Sequence, residues 1–310
     1  MLSPAILLMV VILILPILVA FGLSFTDYGL GNKGVAFVGT ENYDRLFTRS
    51  TYKKMFTATA MYVIVVVPFS VGLGLGAALL IQSVQRGKDF YKTIYFLPVM
   101  ASLLAMAIVW EFMLHPTIGV INDTLQYGCD SPFVYGFLRG SWYGSDPQLS
   151  WYGNGCLNGF PLWLGDRDYA LWTICFIGIW QSFGFNMVLY LAGLTSISKD
   201  LYHAAEIDGA SSAWDRFRLV TWPMLGPTTV FVITITIIRS FQAFDTVEAI
   251  FPDSGGPGKS AYVMMFAIYE KGIKQNLLGT GAAITVIFLL FVVVITLVQR
   301  WLIDRRTHYS

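Results

Sequence analysis

Six stretches of this chain stay apolar for long enough to cross a lipid bilayer, and that leaves it very few folds. They are residues 4–24, 55–83, 94–114, 169–194, 222 to about 244, and 280 to about 303. A hydrocarbon core takes roughly 20 residues of helix. Lipid offers backbone N–H and C=O groups no partner, so only helices and closed barrels span it. Runs of this length predict helices. The expectation is an all-α integral membrane protein, one polytopic domain over residues 1–310 with six transmembrane helices. Charged residues make up 13% of the chain, against about 25% in an average soluble domain, and most of them fall between the runs.

The first run is longer than the core of a signal peptide and lacks its basic start, although Ala20-Phe21-Gly22 is a weak cleavage pattern. It reads as a membrane helix, and the absent basic start leaves room for a further N-terminal tail. Lys and Arg concentrate in short cytosolic loops. Arg86, Lys88 and Lys92 crowd one connection. Lys199, Arg216 and Arg218 crowd another, and Arg300, Arg305 and Arg306 the C-terminal tail. These three stretches are read as cytosolic, with both termini on that side. The opposite loops carry a similar charge spread over more residues.

The longest opposite loop, about 115–168, is rich in Trp, Tyr and Gly. Loops of such length are often functional. Its aromatic rings suit either the headgroup level or contact with an external partner. Cys129 and Cys156 lie in it, and an oxidising exterior permits either a disulfide or two separate thiols. Cys175, inside the fourth run, reads as packing. No basic block or basic–aromatic stripe points to nucleic acid. His115, His203 and His308 have neither metal-ligand spacing nor a nucleophile–base pattern. Asp253 to Ser260, DSGGPGKS, comes close to a phosphate-binding loop, but Asp253 stands where the first glycine belongs. It reads as a Gly-Pro turn.

The most specific segment is the polar loop from Tyr202 to Leu225, YHAAEIDGASSAWDRFRLVTWPML. Ser198 is placed to cap a short helix with Leu201, Ala204 and Ala205 on one face. Asp208-Gly209 breaks it, since glycine accepts a positive φ at little cost. Ser212 and Asp215 form an S-x-x-D capping box for a second helix, with Trp214, Phe217 and Val220 as its apolar stripe. Pro223 suits the first turn of the next membrane helix. By periodicity alone this is an amphipathic connector.

The order of these residues resembles the EAA loop of ABC-importer permeases, and the resemblance runs along nearly the whole chain. FVGTENYDRLF from Phe37 to Phe47, RGKDFYKTIYFLPVMAS from Arg86 to Ser102 and GLTSISKDLY from Gly193 to Tyr202 resemble segments of sugar permeases. So do SFQAFD from Ser240 to Asp245 and SGGP from Ser254 to Pro257, followed by Tyr269, Ala282 and Ala283. The chain is similar to the maltose, glycerol-phosphate and oligosaccharide permeases. That resemblance implies the type I ABC-importer permease fold in a bacterial or archaeal cytoplasmic membrane. It implies a second permease, usually making a heterodimer, two ATPase subunits that hold ATP and Mg, and an extracytoplasmic solute-binding protein. It gives this chain no ATP site and no cofactor of its own. It casts Ala204, Ala205, Glu206, Asp208, Gly209, Ala210 and Phe217 as the ATPase-docking residues. Two departures stand out. His203 sits where the family usually has Glu, and Gly209 to Pro223 is one residue longer than the usual spacing.

Polar groups inside membrane helices are costly, so they are functional candidates by default. The fourth run offers Gln181, Ser182, Asn186 and Tyr190, and the fifth Arg239, Gln242 and Asp245. They suit either a carbohydrate path or hydrogen bonds between helices. Arg239 suits an anionic sugar, or a pairing with Asp245. Gly72, Gly74 and Gly76 read as close-packing positions. A stand-alone secondary transporter or channel is the competing reading, but no inverted repeat is visible and it leaves the polar loop unexplained.

Overall fold

A computed structural model describes residues 3–31, 34–84, 86–130 and 160–304. Among these residues five helices are long and apolar enough to cross a membrane. They are α1 (Ile6–Leu23), α3 (Ser50–Ser83), α7 (Arg167–Thr195), a span over Gly226–Ile250, and one over Leu278–Val298 within α13 (Leu278–Asp304). The short helix α2 (Glu41–Thr48) precedes α3.

The third apolar run does not form one straight span. It is two helices, α4 (Lys88–Met100) and α5 (Leu103–Met113), bent by 100°. Pro98 cannot donate into the preceding turn. Ala101 (ψ 143°) and Ser102 (ψ 130°) then leave the helical region altogether. A sixth span exists only if this pair counts as one. Hydrophobicity set the length of the run but carried no information about its direction.

Of the long loop, helix α6 (Val120–Asp130) and residues from 160 onward are described. Trp163 Nε1 donates to Asn122 Oδ1 at 2.6 Å, folding the loop's two ends together. Cys156 lies outside the described residues and so does the side chain of Cys129, and with them the possible disulfide. Cys175 is buried in the core.

Helix α3 packs chiefly along α7, and the shared interior falls into two apolar clusters. One joins Tyr52, Met55, Tyr62 and Val66 of α3 to Ile174 and Ile177 of α7 and to Tyr262 and Phe266. The other joins Ala78 and Ile81 to Met187, Tyr190 and Leu194, and to the loop residues Ala205, Ala210 and Val220. Between them along both helices sits a polar knot. Asn186 Nδ2 donates to Ser70 Oγ at 3.3 Å, and Thr236 Oγ1 donates to Asn186 Oδ1 at 2.9 Å.

At the end far from the 199–225 loop, polar bonds stitch together elements distant in sequence. Asn42 Nδ2 donates to the carbonyls of Ser24 and Thr26, each at 2.9 Å. Met264 N donates to Thr59 Oγ1 at 2.9 Å, and Lys54 Nζ to the Gly258 carbonyl at 2.9 Å. Lys274 Nζ bridges Glu248 and Asp253, 2.6 Å from each. Those two bonds raise the Lys274 pKa above the ordinary lysine range.

Candidate functional site

Two regions carry the candidate residues, a hairpin at one end and a cleft at mid-depth. The hairpin forms for local reasons. Ser198 caps α8 (Lys199–Ile207) by accepting from Asp200 N at 3.2 Å. Gly209 then turns the chain with φ +98°, a conformation that costs other residues a clash of Cβ with the backbone. Ser212 and Asp215 close a reciprocal capping box on α9 (Ala213–Arg216), Asp215 N reaching Ser212 Oγ at 3.0 Å and Ser212 N reaching Asp215 Oδ2 at 3.2 Å. The Ser212 bonds hold the Asp215 carboxyl below the usual carboxylate value. Its contribution is therefore present above that usual value and lost only as pH falls through the lowered one. Glu206 and Arg216 bridge the two arms at 2.8 Å, and His203 Nδ1 lies 3.8 Å from Glu206.

The docking candidates divide between two faces. Ala205 and Ala210 are buried against Val220 and Leu225, so they seat the hairpin on its own chain. Ala204, Glu206, Asp208 and Gly209 face outward. Phe217 is half-buried, its ring stacked on Trp214 at 5.6 Å and near Trp222 at 6.0 Å. Trp214, from the apolar stripe, is 67% exposed, and Ile207, which the periodicity of the loop did not single out, is 87% exposed.

Past α9 the helix does not stop. Phe217–Thr221 forms a π-helical turn, α10 (Trp222–Met224) comes next, and α11 (Gly226–Phe241) continues the column into the membrane. The column loosens at Gln242, and α12 (Asp245–Ile250) resumes with Asp245 and Glu248 in its first turn, where carboxylates are favoured.

That break makes the cleft. A cavity of about 350 Å³ is lined by Gln181 and Ser182 of α7, by Arg239, Gln242 and Asp245, and by Tyr62 among others. Gln181 is 14 residues from both Arg167 and Thr195, the ends of α7, which puts it about 21 Å from each, at mid-depth. Arg239, Gln242 and Asp245 are all exposed on the side of the cleft. The Arg239 guanidinium lies over the Phe185 ring, 3.9 Å from its centroid. Two candidates do not join them. Asn186 is spent on the knot with Ser70 and Thr236, and Tyr190 is fully buried in the hairpin-side cluster.

The three glycines of α3 also part company. Gly74 faces Asn186 so closely that a Cβ would collide with it. Gly72 and Gly76, on the other face, line an open apolar groove with Tyr91, Tyr95 and Phe183. The 253–260 turn spends its backbone N–H groups inside itself. Gly256 N donates to Ser254 Oγ at 3.2 Å, Lys259 N to the Gly256 carbonyl at 3.0 Å and Ser260 N to the Pro257 carbonyl at 3.2 Å. Lys259 Nζ turns to Glu270 at 3.5 Å, a carboxylate that also accepts from Tyr262. Burial, then that bond, pushes the Tyr262 phenol above its ordinary range. With these donors engaged, the turn does not form a phosphate cradle.

A family model described as "binding-protein-dependent transport system inner membrane component" matches residues 70–308. The arabinooligosaccharides transport system permease protein of Halalkalibacterium halodurans is 30% identical over 304 residues, spanning 97% of this chain and 86% of that protein. The sn-glycerol-3-phosphate transport system permease protein of Agrobacterium fabrum is 28% identical, spanning 94% of this chain and 85% of that one. In fold, the chain resembles a crystal structure of a bacterial ABC transporter involved in the import of the acidic polysaccharide alginate. The TM-score is 0.77 at 20% identity, over 98% of this chain and 93% of that one.

Proposed function

The chain belongs to the family of binding-protein-dependent transport system inner membrane components, and from that premise we propose that it forms one wall of a sugar-conducting path and takes its power from a separate ATPase. It is a permease subunit of a carbohydrate ABC importer. The observation that carries the path is the strip formed by Arg239, Gln242 and Asp245, exposed opposite Gln181 and Ser182 at mid-depth. Charged and amide groups are too costly to face lipid there. They face an aqueous route or a second subunit, and amides that donate and accept suit a polyhydroxylated cargo. Relatives named for arabinooligosaccharides, starch degradation products and sn-glycerol-3-phosphate share that hydroxyl-rich chemistry.

The hairpin is the coupling element. Its outward residues Ala204, Glu206, Asp208 and Gly209, with Ile207 and Trp214 projecting beyond them, offer a small-residue and apolar surface to an ATPase groove. ATP and Mg belong to that partner. The exposed apolar flanks of α1 and α3 suit lipid and a second permease, making a heterodimer that carries two ATPases. An extracytoplasmic binding protein delivers cargo at the far end, with the hairpin and both termini in the cytosol.

The test is mass spectrometry of the proteins that co-purify with the tagged chain from its own membranes in mild detergent. The expected result is a second permease together with an ATPase. A chain that emerges alone, folded and competent for transport, overturns the reading in favour of a stand-alone carrier.

A further inference from the structure

Among the described residues Arg239 is the only cation lining the mid-depth cleft, and its surroundings are unusual for a membrane arginine. Among the described residues no carboxylate lies within ion-pair distance of it, although Asp245 lines the same cavity. Its close partner is the face of Phe185, 3.9 Å from the guanidinium carbon. The ring holds the guanidinium in place, and among the described residues no acceptor engages its N–H donors. The result is a pre-oriented fork of donors with its charge unmatched.

That arrangement has a chemical consequence. An arginine held at mid-depth without a counter-charge is expensive, and a neutral sugar hydroxyl returns little of that cost. A carboxylate or phosphate returns far more, because two parallel charge-assisted bonds form with one fork. Asp245 works in the opposite sense. It repels an anion placed beside it and accepts hydrogen bonds from hydroxyls, so the two charged groups suit different parts of a cargo. Gln181, Ser182 and Gln242 line the same cavity as neutral donors and acceptors.

Resting on the reading of this cleft as the sugar path, we propose that the cargo carries an oxyanion, a sugar carboxylate or phosphate, and that Arg239 recognises it. The experiment is uptake by the complete importer, assembled with its partner subunits and binding protein. Three labelled probes are compared: an oligouronide pool, a sugar monophosphate and a neutral maltooligosaccharide pool. The expected result is uptake of one of the two anionic probes, which identifies the oxyanion. Arg239→Gln should lower that uptake by about ten- to a hundredfold. Arg239→Lys should retain part of it, as charge survives without the fork. Assembly of each variant is checked by co-purification of its partners. Uptake of the neutral pool alone, uptake of an anionic probe that is indifferent to Arg239→Gln, or failure to take up either anionic probe overturns the proposal. Ser182→Trp separates this from the underlying reading. If that bulky plug leaves uptake of whichever probe is carried unchanged, the cleft is not the path at all.

Discussion

Asn186 and Gly74 show how one contact is divided between two residues. The Asn186 side chain ties α3, α7 and α11 through Ser70 and Thr236, while Gly74 lets the backbones come near enough for those bonds to form. The two differ in what their loss costs. A hydrogen bond between membrane helices averages about 0.6 kcal/mol and reaches ~1.7. Ser70 and Thr236 also keep backbone carbonyls as partners, at 3.3 and 2.6 Å. Overpacking a tight interface costs ~1–3 kcal/mol or more. Gly74→Leu should therefore lower the thermal midpoint of the purified complex further than Asn186→Ala does, with the selectivity of Asn186→Ala unchanged. The reverse order, read from thermal unfolding in detergent, would show that the bonds rather than the close approach hold this crossing. Sequence placed Asn186 on the correct helix but left its partner open, because a polar residue in a membrane helix serves a cargo and a neighbouring helix equally well. Ser198, Gly209 and the Ser212–Asp215 box were legible in full, because every atom involved lies within a few residues.

The column from α9 to α11 contains a π turn at Phe217–Thr221, and that turn is where we propose to place the extra residue that the resemblance implies between Gly209 and Pro223. A π turn closes i→i+5 bonds where an α turn closes i→i+4, so it absorbs one extra residue without rotating the helix beyond it. The prediction is a pair of single-residue deletions, read as ATP-dependent uptake. Removing Leu219, 63% exposed within the π turn, should leave most uptake intact by converting that turn to α. Removing Ile237 should abolish uptake, because Arg239 and everything after it turn about 100° away from the cleft. Equal damage from both would mean the π turn is not the site of the extra residue. The direction of the third run was not legible in the same way. Pro98 alone does not decide it, because whether a proline kinks a helix or breaks it depends on what the next turn packs against.

At the scale of the whole molecule the two ends are fastened by different means. Far from the hairpin, directional bonds join residues up to 238 positions apart, as between Thr280 and Asn42. At the hairpin, Ala205, Ala210, Val220 and Leu225 share one apolar cluster with Ala78, Ile81, Met187 and Leu194. Hydrogen–deuterium exchange on the assembled importer during ATP turnover should show its changes in 197–225 and little in 251–277. A larger change in 251–277 would contradict that. Most of the stitching was hidden from sequence, because its partners are brought together only by the finished fold.

Contacts without direction have no geometry to lose. Methyl groups of Ala205 and Ala210, held in an apolar cluster, can shift and exchange one neighbour for another, so the energy along that path changes gently. A displaced Lys54 or Asn42 instead gives up its carbonyl outright before another is within reach. The far rim therefore behaves like a clamped edge and the hairpin rim like a bearing. A push delivered at the hairpin should be taken up as a small tilt about the stitched end, with its amplitude falling steadily from the hairpin towards the cleft.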